Sequence, residues 1–144
     1  MYKPIFFQKM NKKRISSNRI AHLAPNEVFV FGSNLQGRHG GGAARFAHEH
    51  FGAVWGEGVG LFGQSYAIPT MQGGVETIQP YVEDFLQFAQ MHAELDFLVT
   101  EIGCGIAGFS PVDIAPLFFR AIEADIRNVY LPESFYKVWE QKNS

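Results

Sequence analysis

The apolar positions of this chain switch repeatedly between short continuous runs and a helical spacing. Runs of β-branched and aromatic residues at 28–31, 66–68, 97–102 and 129–131, most of them bounded by Gly, Pro or Asn, read as buried strands. Between them the spacing predicts helices over 42–50, over 79–92 with Tyr81, Val82, Phe85, Leu86 and Ala89 on one face, and over 111–125 with Ile114, Ala115, Phe118, Ala121 and Ile122. Ser110 as N-cap and Pro111 at the first helical position start the last of these, although Pro116 would move a regular start to Asp113, one turn on. Strands that alternate with helices predict a three-layer α/β/α domain with a mixed, largely parallel sheet. Residues 15–18 read as a strand or turn and 19–23 as a short helix before Pro25, while the glycine-dense stretch 55–63 reads as a loop that could cover a site.

Two of the strand-to-helix turns carry more glycine than a turn needs. After Phe29-Val30-Phe31 the chain reads Gly32-Ser33-Asn34-Leu35-Gln36-Gly37-Arg38-His39-Gly40-Gly41-Gly42-Ala43-Ala44, and after 97–102 it reads Gly103-Cys104-Gly105-Ile106-Ala107-Gly108-Phe109. A strand end followed by glycines lets backbone N–H groups approach an anion, and the next helix aims its positive end at the same point. Two such turns point to a diphosphate or a dinucleotide-like ligand. A single motif of this kind would serve as well for a tight turn; the pair is what favours binding.

Composition narrows the class. With 144 residues, 47% hydrophobic, 15 glycines and 14 phenylalanines, the chain has the makings of one globular domain with a sizeable core. No apolar run reaches the length of a membrane span and the apolar patch at 5–7 is too brief for a signal sequence, so a soluble cytoplasmic protein is expected. The single cysteine, Cys104, excludes an internal disulfide and a multi-cysteine metal cage, and five scattered histidines form no ligand cluster, so neither metal nor cofactor is expected. His48 and His50 are two residues apart on a helix and point to different faces. Net charge is −2, but residues 1–25 hold six basic side chains and no acid while the remainder holds six basic and 14 acidic ones. A basic arm over 1–25 is expected to dock on its own acidic body, residues 26–144; no aromatic interleaving accompanies it, so nucleic acid is not an expected partner.

The order Asn34, Gly40-Gly41-Gly42-Ala43-Ala44, Tyr66-Ala67-Ile68-Pro69-Thr70, then Ile102 to Pro111 through the second glycine turn, resembles the macro-domain superfamily, whose members bind ADP-ribose. More narrowly, 29–44 with 66–70 is similar to a bacterial and phage-associated macro-like family with the signature FVFGSNLxGRHGxGAA. The resemblance covers about residues 27–131. It implies that Gly40, Gly41 and Gly42 loop around the distal ribose and phosphate with Asn34 near that ribose, and that Gly103 to Phe109, by way of Cys104, Gly105, Ile106, Ala107 and Gly108, wraps the diphosphate. Gly32, Ser33 and Arg38 complete the expected ligand-binding set, with Arg38 a phosphate clamp and Phe109 a surface for a ribose. An ADP-ribosylated protein is the macromolecular partner the resemblance implies.

Catalysis is where the chain departs from the family. Hydrolytic macro domains often carry an aspartate just after the glycine triplet; here Ala43-Ala44-Arg45 follows it. The remaining candidates are Asn34, His39 as a base, Glu101 at the end of the third strand, and Cys104 as a nucleophile among backbone amides. Each has an ordinary structural reading: a solvated turn residue for His39, a strand-end charge for Glu101, a small residue in a crowded turn for Cys104. The expectation is therefore binding of ADP-ribose or a related nucleotide diphosphate. The alternatives are an ADP-ribosyl hydrolase, and a phage-associated structural or interaction protein that keeps the fold without the ligand.

Overall fold

A computed structural model describes residues 13–144 of the protein. Six strands, β1 (Ile15–Ser16), β2 (Glu27–Ser33), β3 (Gly60–Phe62), β4 (Ser65–Pro69), β5 (Asp96–Val99) and β6 (Val129–Pro132), form one sheet in the order β1-β6-β5-β2-β4-β3. All neighbours run parallel except β3 and β4, which are antiparallel at one edge. The helices are α1 (Gly42–His50), α2 (Val75–Met91), α3 (Pro111–Ile114), α4 (Phe119–Glu123) and α5 (Glu133–Lys142), with a 3-10 turn at Ala115–Phe118 between α3 and α4.

Alternation along β2 divides the core in two. Val28 and Val30 enter a large cluster with Phe85 of α2, Phe118, Phe135 of α5 and Phe97 of β5, whereas Phe29 and Phe31 enter a smaller one with Ala44 and Ala47 of α1 and Phe51. The sheet is thus covered on both faces, a mixed and mostly parallel sheet in an α/β/α arrangement. Phe85, fully buried, sits 5.0 Å from Tyr66, 5.4 Å from Phe97 and 6.3 Å from Phe118, centroid to centroid, and ties three elements to one helix. Deleting such a ring costs about 3–5 kcal/mol.

Several expectations are corrected. The helix expected at 79–92 begins a turn earlier, at Val75, with Gly74 as N-cap and Glu76 in the first turn; Pro80 lies inside it on its exposed side and does not start it. The helix expected over 111–125 does start at Pro111, with the Ser110 N–H donating to Asp113 Oδ2 at 3.0 Å, so Asp113 completes the cap and is not the cap itself. Pro116, which has no N–H to give, then narrows the helix to a 3-10 turn before α4. The run 97–102 leaves the sheet after Val99: Thr100 makes a last ladder bond from its N–H to the Val30 carbonyl (3.1 Å), to which its hydroxyl also donates (2.8 Å), and Ile102 N–H then folds back onto Thr100 O at 2.7 Å. The stretch 55–63 hides the edge strand β3, residues 19–23 form no helix, and α5 was not anticipated although Phe135, Tyr136 and Val138 bury one face of it.

Of the basic arm, residues 13–25 belong to the domain. Ile15 and Ser16 extend the sheet as β1, Arg14 pairs with Asp125 at 3.0 Å, and Lys13 pairs with Glu140. Lys3, Lys9 and Lys12 lie outside the described residues.

Candidate functional site

Topology puts a crevice at one place. β2 and β5 are neighbours, yet the chain after β2 leaves to the face of α1 and the chain after β5 leaves to the opposite face through α3 and α4. Loops that part in this way leave a cleft at the carboxyl ends of the strands. A cavity of about 310 Å³ lies there, lined by Gly32, Ser33 and Asn34 from the end of β2, Gly41, Gly42, Ala43 and Ala44 from the start of α1, and Thr100, Glu101, Gly103, Gly105, Ile106 and Ala107 from the loop after β5. Thr70 and Met71 from the end of β4, with Arg38, close the remaining wall.

The start of α1 is bare. Its N-cap is Gly41, no side chain caps it, and no acid stands in its first turn, so the first amides keep their full partial charge toward the cavity. Across from it the 100–109 loop consumes some of its own amides: Cys104 N–H bonds to Glu101 O, Gly108 N–H to Gly105 O and Phe109 N–H to Gly103 O, at 3.1, 3.0 and 2.8 Å. The amides of Gly105, Ile106 and Ala107 have no acceptor among the described residues, and all three residues line the cavity. Gly103 takes φ +75, and a Cβ there would meet Ile114 at 3.1 Å, so the sharp turn that leads into these residues needs glycine.

The site residues read from sequence divide into those that reach the cavity and those that do not. Asn34 does, but both ends of its amide are taken: Nδ2 donates to Arg38 O at 3.0 Å and Oδ1 accepts from Arg38 N–H at 2.8 Å. It is a clasp that shapes the loop. That clasp leaves the Arg38 guanidinium exposed at the cavity wall, with no ion pair among the described residues. Glu101 reaches the cavity as well and accepts a hydrogen bond from Ser134 Oγ at the start of α5.

His39 is placed elsewhere. It is 1% exposed, is not on the cavity wall, and its Nε2 lies 3.0 Å from Val54 O and 3.1 Å from Glu57 O. Cys104 is half-buried, packs against the large core cluster and donates weakly to Ile102 O at 3.5 Å. Burial, with Glu101 and Asp113 nearby, pushes its thiol up to about 11, the reverse of what a nucleophile needs. Phe109 also packs on that core, and Gly40 and Gly108 stand at the surface. The stretch 55–63 contributes nothing to the cavity wall, so it does not cover the site.

A second cavity, about 340 Å³, adjoins the first and shares Gly42, Ala43, Thr100 and Glu101 with it. Its other walls are Phe29, Phe46 of α1 and Ser17, Asn18, Arg19 and Ile20 of the segment after β1. Sequence reasoning missed this half, since the residues that build it come from a stretch read as a basic arm. Among the described residues no group of three or more His, Cys, Asp or Glu could hold a metal ion, and no helix is long and apolar enough to cross a membrane. No protein-family model, curated protein or solved structure matches the chain.

Proposed function

We propose that the protein binds ADP-ribose, or a nucleotide diphosphate of similar form, with the diphosphate between the start of α1 and the 103–107 loop. One observation carries this reading: an uncapped helix N-terminus and a loop whose amides lack acceptors among the described residues both line one cavity of about 310 Å³ with an exposed arginine on its wall. That is the size of a small-ligand site, and donors so arranged suit phosphate oxygens. The adjoining cavity, with Phe29 and Phe46 on its wall, offers an aromatic surface for a base. An elongated ligand would lie across both with its charge at the shared centre.

Binding is favoured over turnover. No acid stands in the first turn of α1, His39 is buried away from the cavity, and the Cys104 thiol is held protonated at neutral pH. A hydrolase reading is left with Glu101, which lines both cavities and could orient a water. A thermal-shift panel of ADP-ribose, ADP, NAD and inorganic phosphate tests the first reading. A specific ligand at about 100 times its Kd stabilises by about 2.7 kcal/mol, which is a rise of roughly 5–10 °C for a chain of this size. No shift with any of the three nucleotides at millimolar concentration overturns it, and release of ADP-ribose from a modified protein, lost in Glu101→Gln, would establish the hydrolase instead.

A further inference from the structure

His39 interrupts the glycine loop with a fully buried side chain whose immediate neighbours, Arg38 on one side and Gly41 two residues on, wall the cavity it does not itself touch. We propose that His39 is a positioning residue: its Nε2–H fastens the glycine loop to the turn at 54–57 and so holds the start of α1 at the separation from the 103–107 loop that a diphosphate needs. This rests on the binding reading above.

Both atoms facing Nε2, Val54 O and Glu57 O, are carbonyl oxygens, so Nε2 carries the proton and donates to both. These carbonyls are the two ends of a turn closed by Glu57 N–H on Val54 O at 3.0 Å, so one ring proton ties the whole turn down. The ring also stands edge-on to Phe31 of β2 at 5.4 Å and to Trp55 at 6.3 Å, and lies 6.1 Å from His48 of α1. It therefore meets the three elements that fix the corner: the strand before the loop, the helix after it and the turn behind it.

The turn is stitched to the same loop at other points. Gly56 N–H donates to Gly37 O at 2.9 Å and the Ser33 hydroxyl donates to Gly58 O. The backbones meet so closely that a Cβ on Gly58 would stand 2.0 Å from Asn34 O. Residues 54–58 are thus a backing plate for the cavity wall, held by the side chains of Ser33 and His39, of which His39 reaches from between the ligand-facing residues without lining the cavity itself. Nδ1 is buried with no partner. A buried nitrogen left unsatisfied is a cost that an apolar ring of the same size would avoid, so the donor at Nε2 is what makes imidazole worth keeping.

The experiment compares His39→Phe, which fills the space without a donor, with His39→Gln, whose Nε2 can reach the same carbonyls. Two readouts are taken on the full chain: ADP-ribose affinity by calorimetry, and amide hydrogen exchange at Arg38, Arg45, Gly56 and Glu57, whose N–H groups are hydrogen-bonded within the corner, against the buried Val82, Phe85, Leu86 and Ala89 of α2 as an internal reference. The expected result is a cooperatively folded His39→Phe with affinity lowered tenfold or more and exchange at the four corner amides faster by a similar factor, the α2 amides unchanged, and His39→Gln within about threefold of wild type on both. Wild-type exchange at the corner amides in His39→Phe overturns the proposal, and so does an equal loss in His39→Gln. Exchange is measured without ligand, so if wild type binds no ADP-ribose the functional reading fails while the positioning role is still decided by the corner amides.

Discussion

Gly41→Glu separates the stability of the cleft from its ligand affinity. Gly41 precedes α1 with φ −155, an extended conformation open to any residue. A Cβ there would meet Cδ1 of Ile106 at 3.3 Å, the far end of a side chain that is 77% exposed and free to move aside. The variant should fold. A carboxylate at a helix start is favourable by about 0.3–1 kcal/mol, so the melting temperature should hold or rise by up to roughly 3 °C. The ligand meets the opposite effect. Two like charges about 4 Å apart repel by about 4 kcal/mol at an effective dielectric constant near 20. Taking roughly half of that for a cleft open to salt and water leaves about 2 kcal/mol, an affinity loss of about 30-fold. Gly41→Gln, equal in size and neutral, should lose less than tenfold. Calorimetric titration with ADP-ribose beside a thermal melt measures both quantities. A folded Gly41→Glu that binds as wild type refutes the placement of the anion, and an equal loss in Gly41→Gln refutes the electrostatic argument for it.

Three other outcomes follow from particular contacts. Gly58→Ala, whose Cβ would lie 2.0 Å from Asn34 O and 2.8 Å from Leu35 O, must push two backbone segments apart; it should cost about 1–3 kcal/mol and roughly 3–10 °C in Tm, whereas Gly105→Ala, with nothing within 4 Å, should stay within about 0.5 kcal/mol. Because the Cys104 thiol is pushed up to about 11, its thiolate is scarce at neutral pH, and native-state alkylation should be slow and rise about tenfold per pH unit up to that value; a rate at pH 8 equal to that of the unfolded chain would contradict this. Removing residues 1–12 should leave ADP-ribose affinity within about twofold in a titration, since β1, the Arg14–Asp125 pair and the wall at residues 17–20 all remain.

The strands were legible where burial on both faces leaves a continuous apolar run. Val28 to Phe31 points alternate side chains into two different clusters and so shows no polar interruption, and its glycine-rich exit marks the cleft. Gly32, Ser33, Asn34, Arg38, Gly41, Gly42, Gly103, Gly105, Ile106 and Ala107 do meet at one cavity, because the turns that follow neighbouring parallel strands share an end of the sheet. What was not legible depends on pairing between distant segments. β1 is two residues long and exists by virtue of its pairing with β6, 116 positions away at Ile15 and Leu131. β3 likewise takes its form from β4, and its Gly60-Leu61-Phe62 is too short for a period to register. α5 carries a readable stripe, Phe135, Tyr136 and Val138, preceded by Pro132, and could have been found from it. His39 illustrates the limit on side chains: beside glycines and Arg38 its sequence context is that of an exposed turn, and only the turn at 54–57 makes it the most buried polar residue there.

The absence of an acid after the glycine triplet bears on binding as well as on catalysis. A carboxylate in the first turn of α1 would stabilise the helix by about 0.3–1 kcal/mol and at the same time neutralise the amides that line the cavity. This chain has Ala43 and Ala44 there, and α1 holds its place by other means: Ala44 and Ala47 pack against Phe29 and Phe31, Arg45 pairs with Glu49 at 3.0 Å on the outer side, and the 54–58 segment braces the loop before it. The energy that fixes the helix thus comes from its buried face and from behind, leaving its N-terminus unneutralised. An exposed pair such as Arg45–Glu49 contributes little, typically about 0.3–0.5 kcal/mol, so packing carries most of the load. A helix held in this way can present its positive end to an anion without reorganising when the anion arrives. That is the physical condition for a binding site formed in advance, and the reason a negative charge introduced at Gly41 should weaken the ligand without weakening the fold.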